Sequence, residues 1–264
     1  FADQGGDLFG LAVKAWGVDF STALDRLFEM VNGDLRIPVS PLLLNQNHIR
    51  QATISNTMIK VRKREWDDRD AAFWERRYKL PAAHVISSGI IPIAEASVKT
   101  EKGSYVLWDN GASNLRLMYG ISVGAHWKIY RPSHLNPRFK YGPSNTTRDD
   151  VFGFKKLSES SETENRRMPV LLCAGQKDAT CASFHLEVNC VSFNSEVMIP
   201  MPGQMAFIMQ NSSGIHILYD NDRTGKEWTE RIIRSYPFVK PLHCFWPEGT
   251  KDFADLIEGR YKEN

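Results

Sequence analysis

The residue pattern predicts an α/β chain in which a parallel-sheet domain at the C-terminal end follows a small α+β subdomain. Three observations predict it. Over residues 166–264, short apolar runs alternate with helical patterns, as they do when parallel strands are joined by helices on both faces of a sheet. Over 34–165, strand-like runs follow one another across Gly-containing turns. A chain of 264 residues, 42% hydrophobic and 24% charged, can bury a sizeable core without staples, which excludes disordered and fibrous classes.

The elements follow in chain order. In 1–33, Leu8, Leu11, Ala12, Ala15 and Trp16 recur at helical spacing, as do Leu24, Leu27, Phe28 and Val31, with Asp7 and Ser21 as N-caps. Two such helices are too short to fold alone and must pack on something. A break at 32–41 carries two prolines. In the middle part, 71–78 reads as a short helix, and 104–108, 114–119 and 127–130 read as strands. The basic run 60–64 is either a solvated surface or a nucleic-acid contact. Residues 157–167, LSESSETENRR, read as a linker or surface loop. Beyond it come a strand at 170–173, a helix at 179–187, strands at 190–193 and 215–219, a helix at 224–235, a strand at 239–245 and a helix at 252–258. The expected domains are therefore 1–33, 34–165 and 166–264.

Composition narrows the setting. Cys173, Cys181, Cys190 and Cys244 show no Cys-x-x-Cys pairing, which argues against a zinc site within this chain and suits core thiols in a reducing compartment. No apolar run approaches the roughly 18 residues of a membrane span, and the start lacks the regions of a signal peptide, so a cytoplasmic location without membrane contact is expected. Phe1 is no initiator, so the chain is expected to begin inside a longer protein. Residues 1–167 carry 24 basic against 19 acidic side chains and residues 168–264 carry 9 against 12, a split of +5 and −3 that suits phosphate in front and divalent metal behind, or random surface variation.

Chemistry-bearing residues fall where strands end, the edge at which parallel sheets place their sites. After 215–219 comes Asp220-Asn221-Asp222-Arg223-Thr224-Gly225-Lys226. Two carboxylates from one loop repel each other, and a hard cation such as Mg²⁺ relieves that repulsion. Gly225 permits close backbone approach and Lys226 can pair with phosphate; taken alone, the segment also reads as a turn with an N-capping aspartate. After 170–173 comes Ala174-Gly175-Gln176-Lys177-Asp178, opening a helix whose N-terminus favours anions. Lys251 and Asp252 precede the last helix, where capping accounts for Asp252 equally well.

The order of these three segments, Gly-x-x-Asp, then Asp-x-Asp-x-x-Gly, then Lys-Asp-x-x-Asp, resembles the TOPRIM domain of DnaG-type and phage primases over about the last 100 residues. Topoisomerases and some nucleases share that domain. Gly5-Gly6-Asp7-Leu8-Phe9 and Gly17 to Leu24 are similar to the tail of the zinc-binding domain of such primases, and the segments 129–132 and 137–144 are similar to the basic Lys-Tyr stretch ahead of TOPRIM. The resemblance implies a compact α/β sandwich and an RNA-polymerase core that makes primers on single-stranded DNA from ribonucleoside triphosphates. It also implies zinc only in an upstream domain, and it allows a replicative helicase as partner. Asp220, Asp222 and Asp252 are then the holders of one or two Mg²⁺ or Mn²⁺ ions; Arg138, Lys140, Lys177 and Lys251 the contacts to nucleotide or template; and Gln176, Asp178, Glu196 and Lys226 the catalytic set. Trp66, Phe73 and Trp74 either stack template bases or fill the core.

The chain departs from the family at Ala174, where the pattern has Glu, and at Gln176, where phage relatives carry an acid. Three explanations stay open: an engineered substitution at Gln176, a TOPRIM module that binds nucleic acid without catalysis, or Glu196 in the acid's role. The expected function is a phage or mobile-element DNA primase, with the silent module as alternative and a TOPRIM nuclease third.

Overall fold

The computed structural model describes residues 58–100, 103–109, 117–133, 140–163, 167–244 and 246–260. The chain divides into units 1–54 and 55–264, and every described residue belongs to the second. The helices expected within 1–33, the break at 32–41 and Arg138 lie outside the described residues.

The described residues form a mixed α/β fold with two sheets. The first is antiparallel: β1 (Met58–Lys63), β2 (Ile90–Thr100), β3 (Gly103–Asp109), β4 (Tyr119–Val123), β5 (His126–Tyr130) and β6 (Tyr141–Ser144), ordered β1-β2-β4-β5-β6 with β3 also on β2. Between β1 and β2 lie α1 (Asp68–Asp70), continued by π-helical turns over Ala71–Arg76, and α2 (Ala82–Ser87). The basic run 60–64 is mostly β1, in which Ile59 alternates with Lys60 and Arg62 and turns to the core while they stay exposed. Arg64 leaves the surface and donates to Asp70, which is 0% exposed and also accepts from the Tyr119 hydroxyl at 2.8 Å and the Asp67 N–H at 2.9 Å. With three kinds of donor converging on it, this buried carboxylate is satisfied.

The second sheet is parallel, ordered β10-β9-β7-β8, with β7 (Val170–Cys173), β8 (Asn189–Ser192), β9 (Ile215–Leu218) and β10 (Val239–Pro241). Helices cover both faces, as the alternation predicts. On the side of Leu171, Cys173 and Leu218 lie α4 (Gln176–His185) and α7 (Phe253–Arg260). On the side of Val170, Leu172 and Ile217 lie α3 (Phe154–Thr163), α5 (Pro202–Gln210) and α6 (Arg223–Ser235). The expected strand at 239–245 ends at Pro241, one residue before the Leu242 N–H makes a last bond to the Ile217 carbonyl at 2.9 Å.

One expectation is corrected here, and two stretches left open by pattern are assigned. The stretch taken as a linker is helical up to Thr163, because Leu157, 1% exposed, anchors it on the sheet. Residues 202–210, unassigned from pattern, form α5 around buried Met205 and Ile208. Phe73 and Trp74, 8% and 0% exposed, are core residues and not base-stacking platforms, whereas Trp66 packs partly buried against the same core. All four cysteines are free thiols, three of them buried. No helix among the described residues is long and apolar enough to cross a membrane.

One hydrophobic cluster joins the two sheets. It combines Trp74, Tyr78, Tyr119 and Tyr130 with Leu171 and Cys173 of β7 and with the inner faces of α4 and α7. The Arg77–Glu258 ion pair at 2.6 Å and the His185 bond to the Tyr78 carbonyl at 2.8 Å reinforce the junction.

Candidate active site

The chain runs from β7 outward to β8 and then returns across β7 to β9, so the strand order reverses at the carboxyl ends of β7 and β9. A reversal of that kind opens a crevice, because the loops leaving the two strands diverge to opposite sides. The loop after β7 supplies Gly175 and the first turn of α4 supplies Gln176, Lys177 and Asp178; the loop after β9 supplies Asp220 and Asp222; the turn before α7 supplies Lys251 and Asp252. The last two loops are tied together by the Asn221 N–H donating to the Lys251 carbonyl at 2.6 Å.

Asp178 sits in the first turn of α4, 7% exposed, where its Oδ1 accepts from the Ala254 N–H at 3.1 Å. Burial, against the pull of Lys177 and with the neighbouring carboxylates of Asp252 and Asp220, pushes its pKa up to about 7. Lys177 Nζ donates to Asp252 Oδ2 at 2.9 Å and lies 5.7 Å from the centre of the Tyr78 ring. Burial works against the lysine's charge, yet Asp178 and Asp252 hold its pKa well above the ordinary value. Asp252 is partly buried, but Lys177 and the Asp255 N–H, 2.7 Å from Oδ1, keep it below the usual carboxylate range.

The second carboxylate group is built around Lys251. Its Nζ lies 3.2 Å from Asp220 Oδ2 and 3.5 Å from Asp222 Oδ2. Asp222 caps α6 through Oδ1, which accepts from the Gly225 N–H at 2.9 Å, and that bond leads the effects lowering its pKa. Burial raises the pKa of Asp220 against the pull of Lys251. Glu196 joins this group: burial, then the charges of Asp220 and Asp222, raise its pKa, and its buried Oε2 has no hydrogen-bond partner.

Gln176 is 1% exposed and engaged at both ends of its amide, its Oε1 accepting from Lys128 Nζ at 3.2 Å and its Nε2 donating to the Phe193 carbonyl at 3.4 Å. Lys128 is the residue that the pattern missed. It comes from β5 of the other sheet, donates also to the Asn194 carbonyl at 3.3 Å, and lies 4.7 Å from the centre of the Tyr141 ring. Among the described residues no carboxylate pairs with it, and burial draws its pKa down to about 8. The available signal is its two-residue spacing from Tyr130 in a strand, which puts both on one face without saying what that face meets.

The structure thus brings together Gln176, Lys177, Asp178, Glu196, Asp220, Asp222, Lys251 and Asp252. Lys140 is exposed beside Tyr141, whose ring stacks on Tyr130 with centroids 4.9 Å apart, and Lys226 is exposed on the first turn of α6, beside Asp220 in a cleft that also reaches Trp246. Lys177 and Lys251, expected as contacts to nucleotide or template, are both held in ion pairs with carboxylates.

The donors around Asp220 are all oxygens, a set suited to Mg²⁺ or Mn²⁺. Even so, among the described residues no three His, Cys, Asp or Glu side chains are gathered closely enough to hold an ion. Lys251 stands against both aspartates. The residues in this arrangement do not fit a resident divalent ion.

No protein-family model and no curated protein matches the sequence. Among solved structures, the chain is similar to the primase fragment of the bacteriophage T7 primase-helicase, at 10% identity and a TM-score of 0.41 over 69% of this chain and 67% of that one. It is similar to the Aquifex aeolicus primase comprising zinc-binding and RNA-polymerase domains, at 14% and 0.43 over 98% and 68%. A third is a DnaG primase catalytic domain bound to single-stranded DNA, at 16% and 0.46 over 78% and 67%.

Proposed function

We propose that this chain is the RNA-synthesising core of a DNA primase, acting on single-stranded DNA with ribonucleoside triphosphates, in a phage or mobile element, and open to a replicative helicase as partner. The observation that carries the proposal is the convergence of three segments far apart in sequence, around Asp178, Asp220 and Lys251, on the crevice between the carboxyl ends of β7 and β9. These are the segments whose order resembles TOPRIM primases. A crevice lined by carboxylates, with an unpaired ammonium from the facing sheet, suits nucleotidyl transfer.

In this reaction the 3′-hydroxyl of one nucleotide attacks the α-phosphorus of the next. An oxygen–phosphorus bond forms, the bond to pyrophosphate breaks, and the hydroxyl proton passes to a base. Asp178 is suited to that role, since its carboxyl changes charge near neutrality and is held by the Ala254 N–H. Lys128 offers the triphosphate an ammonium that no carboxylate among the described residues neutralises, and Lys140, Lys226 and Arg138 serve the template backbone as sequence-independent contacts. Glu196, with a buried oxygen lacking a partner, takes the place of the acid that Ala174 and Gln176 do not supply.

A second reading, a nucleic-acid-binding module without catalysis, is favoured by Gln176, whose amide is locked between Lys128 and Phe193. A primer-synthesis assay with labelled ribonucleotides, single-stranded DNA and Mn²⁺, run on the chain and on Gln176→Glu, separates the two. Labelled product from Gln176→Glu is the expected result. Its absence from both proteins, with DNA binding intact, would assign the second reading.

A further inference from the structure

We infer that Lys251 is the resident counter-ion of the Asp220 and Asp222 pair, and that a divalent cation reaches these carboxylates only by displacing its ammonium. The geometry of the pair carries the inference. Asp222 is oriented by its capping bond, which commits Oδ1 to the Gly225 N–H and leaves Oδ2 for Lys251. Asp220, its side chain 13% exposed, turns Oδ2 to the same ammonium. Lys251 therefore lies against the one Asp222 oxygen outside the cap and against one oxygen of Asp220, between the two carboxylates.

Its backbone and its side chain behave differently. The backbone is fixed, because the Lys251 carbonyl accepts from the Asn221 N–H and the neighbouring Thr250 carbonyl accepts from Asn221 Nδ2 at 3.2 Å. The side chain is 57% exposed, so the ammonium can swing into solvent on its flexible stem while the loop stays in place. Among the described residues Lys251 is the ammonium in ion-pair contact with these aspartates; Lys226 only shares a cleft with Asp220, and Lys177 is engaged by Asp252 at 2.9 Å. An ammonium and a divalent ion cannot share the position, so the two compete. A part-exposed ion pair is a weak competitor, and displacing this one is expected to cost a divalent ion about five- to tenfold in affinity.

The inference rests on the reading of this edge as a nucleotidyl-transfer site only in its choice of cation. Its test is a Mn²⁺ titration by calorimetry on the whole chain, comparing wild type, Lys251→Met and Lys251→Arg. Lys251→Met is expected to bind Mn²⁺ about five- to tenfold more tightly than wild type. Lys251→Arg, whose planar guanidinium can hold both carboxylates, is expected to bind no more tightly than wild type and keeps the comparison informative if the Met variant fails to fold. Equal or weaker binding by Lys251→Met, or clearly tighter binding by Lys251→Arg, overturns the inference while leaving the proposed function standing. No heat from any of the three overturns both the inference and the metal dependence implied for primer synthesis.

Discussion

Asp178 shows how one position can be legible as a residue type and illegible as a chemical state. Its place three residues after Gly175, at the start of a helix, follows from the sequence. Its pKa near 7 does not, because that value comes from burial under α7 and from carboxylates contributed by two other loops. The shift has a direction in stability. Below about pH 4 both the folded and unfolded states hold the proton. Between about 4 and 7 the folded state keeps a proton that the unfolded chain has released, so this group's contribution to stability falls as pH rises, and it levels off above about 7. Asp178→Asn keeps the acceptor for the Ala254 N–H and loses the titration. Urea midpoints at pH 5 and pH 8 should therefore shift in favour of the variant at the higher pH; a difference that does not change with pH would remove the assignment.

At the scale of elements, the start of α6 is fixed by Gly225. A Cβ built there would lie 2.1 Å from the Asp220 carbonyl oxygen and 2.8 Å from its carbonyl carbon, so the helix approaches the β9 loop more closely than any side chain allows. The Asp-x-Asp-x-x-Gly spacing is thus a packing requirement as well as a signature. Gly225→Ala should cost about 1–3 kcal/mol and displace Asp220. Gly259, inside α7 with nothing within 4 Å of its built Cβ, provides the contrast: Gly259→Ala should be neutral or stabilise by up to about 1 kcal/mol. Thermal unfolding of the two variants checks this, and equal effects would show that the close approach does not matter. Other elements gave weaker local signals. The serine-rich composition of α3 conceals a helix whose one strong anchor is Leu157, and the prolines around α5 conceal a helix that Pro202 in fact begins.

For the molecule as a whole, the shared cluster of Trp74, Tyr78, Tyr119 and Tyr130 with β7, α4 and α7 has a consequence for cooperativity. Neither the antiparallel sheet nor the parallel one owns that core, so each would expose it if the other unfolded. The region 58–260 should therefore lose structure in one transition, with far-UV dichroism and tryptophan fluorescence giving coincident urea curves. Separate midpoints would show two independently folding parts.

The sequence by itself determined the parallel sheet and the loops that carry its acidic residues. Val170–Cys173 is a strand as its apolar run predicts, α6 begins where Asp222 caps it, and Asp178, Asp220, Asp222 and Asp252 follow from local alternation and capping. Local patterns suffice there because periodicity and capping act over a few residues. Only the tertiary structure decided the partners: Lys128 reaching Gln176 from another sheet, Glu196 drawn beside the aspartates, and Lys251 neutralising the pair it was expected to accompany. A charge's partner, burial and pKa depend on groups that are distant in sequence and meet only when the sheets pack, and no short-range pattern encodes that meeting.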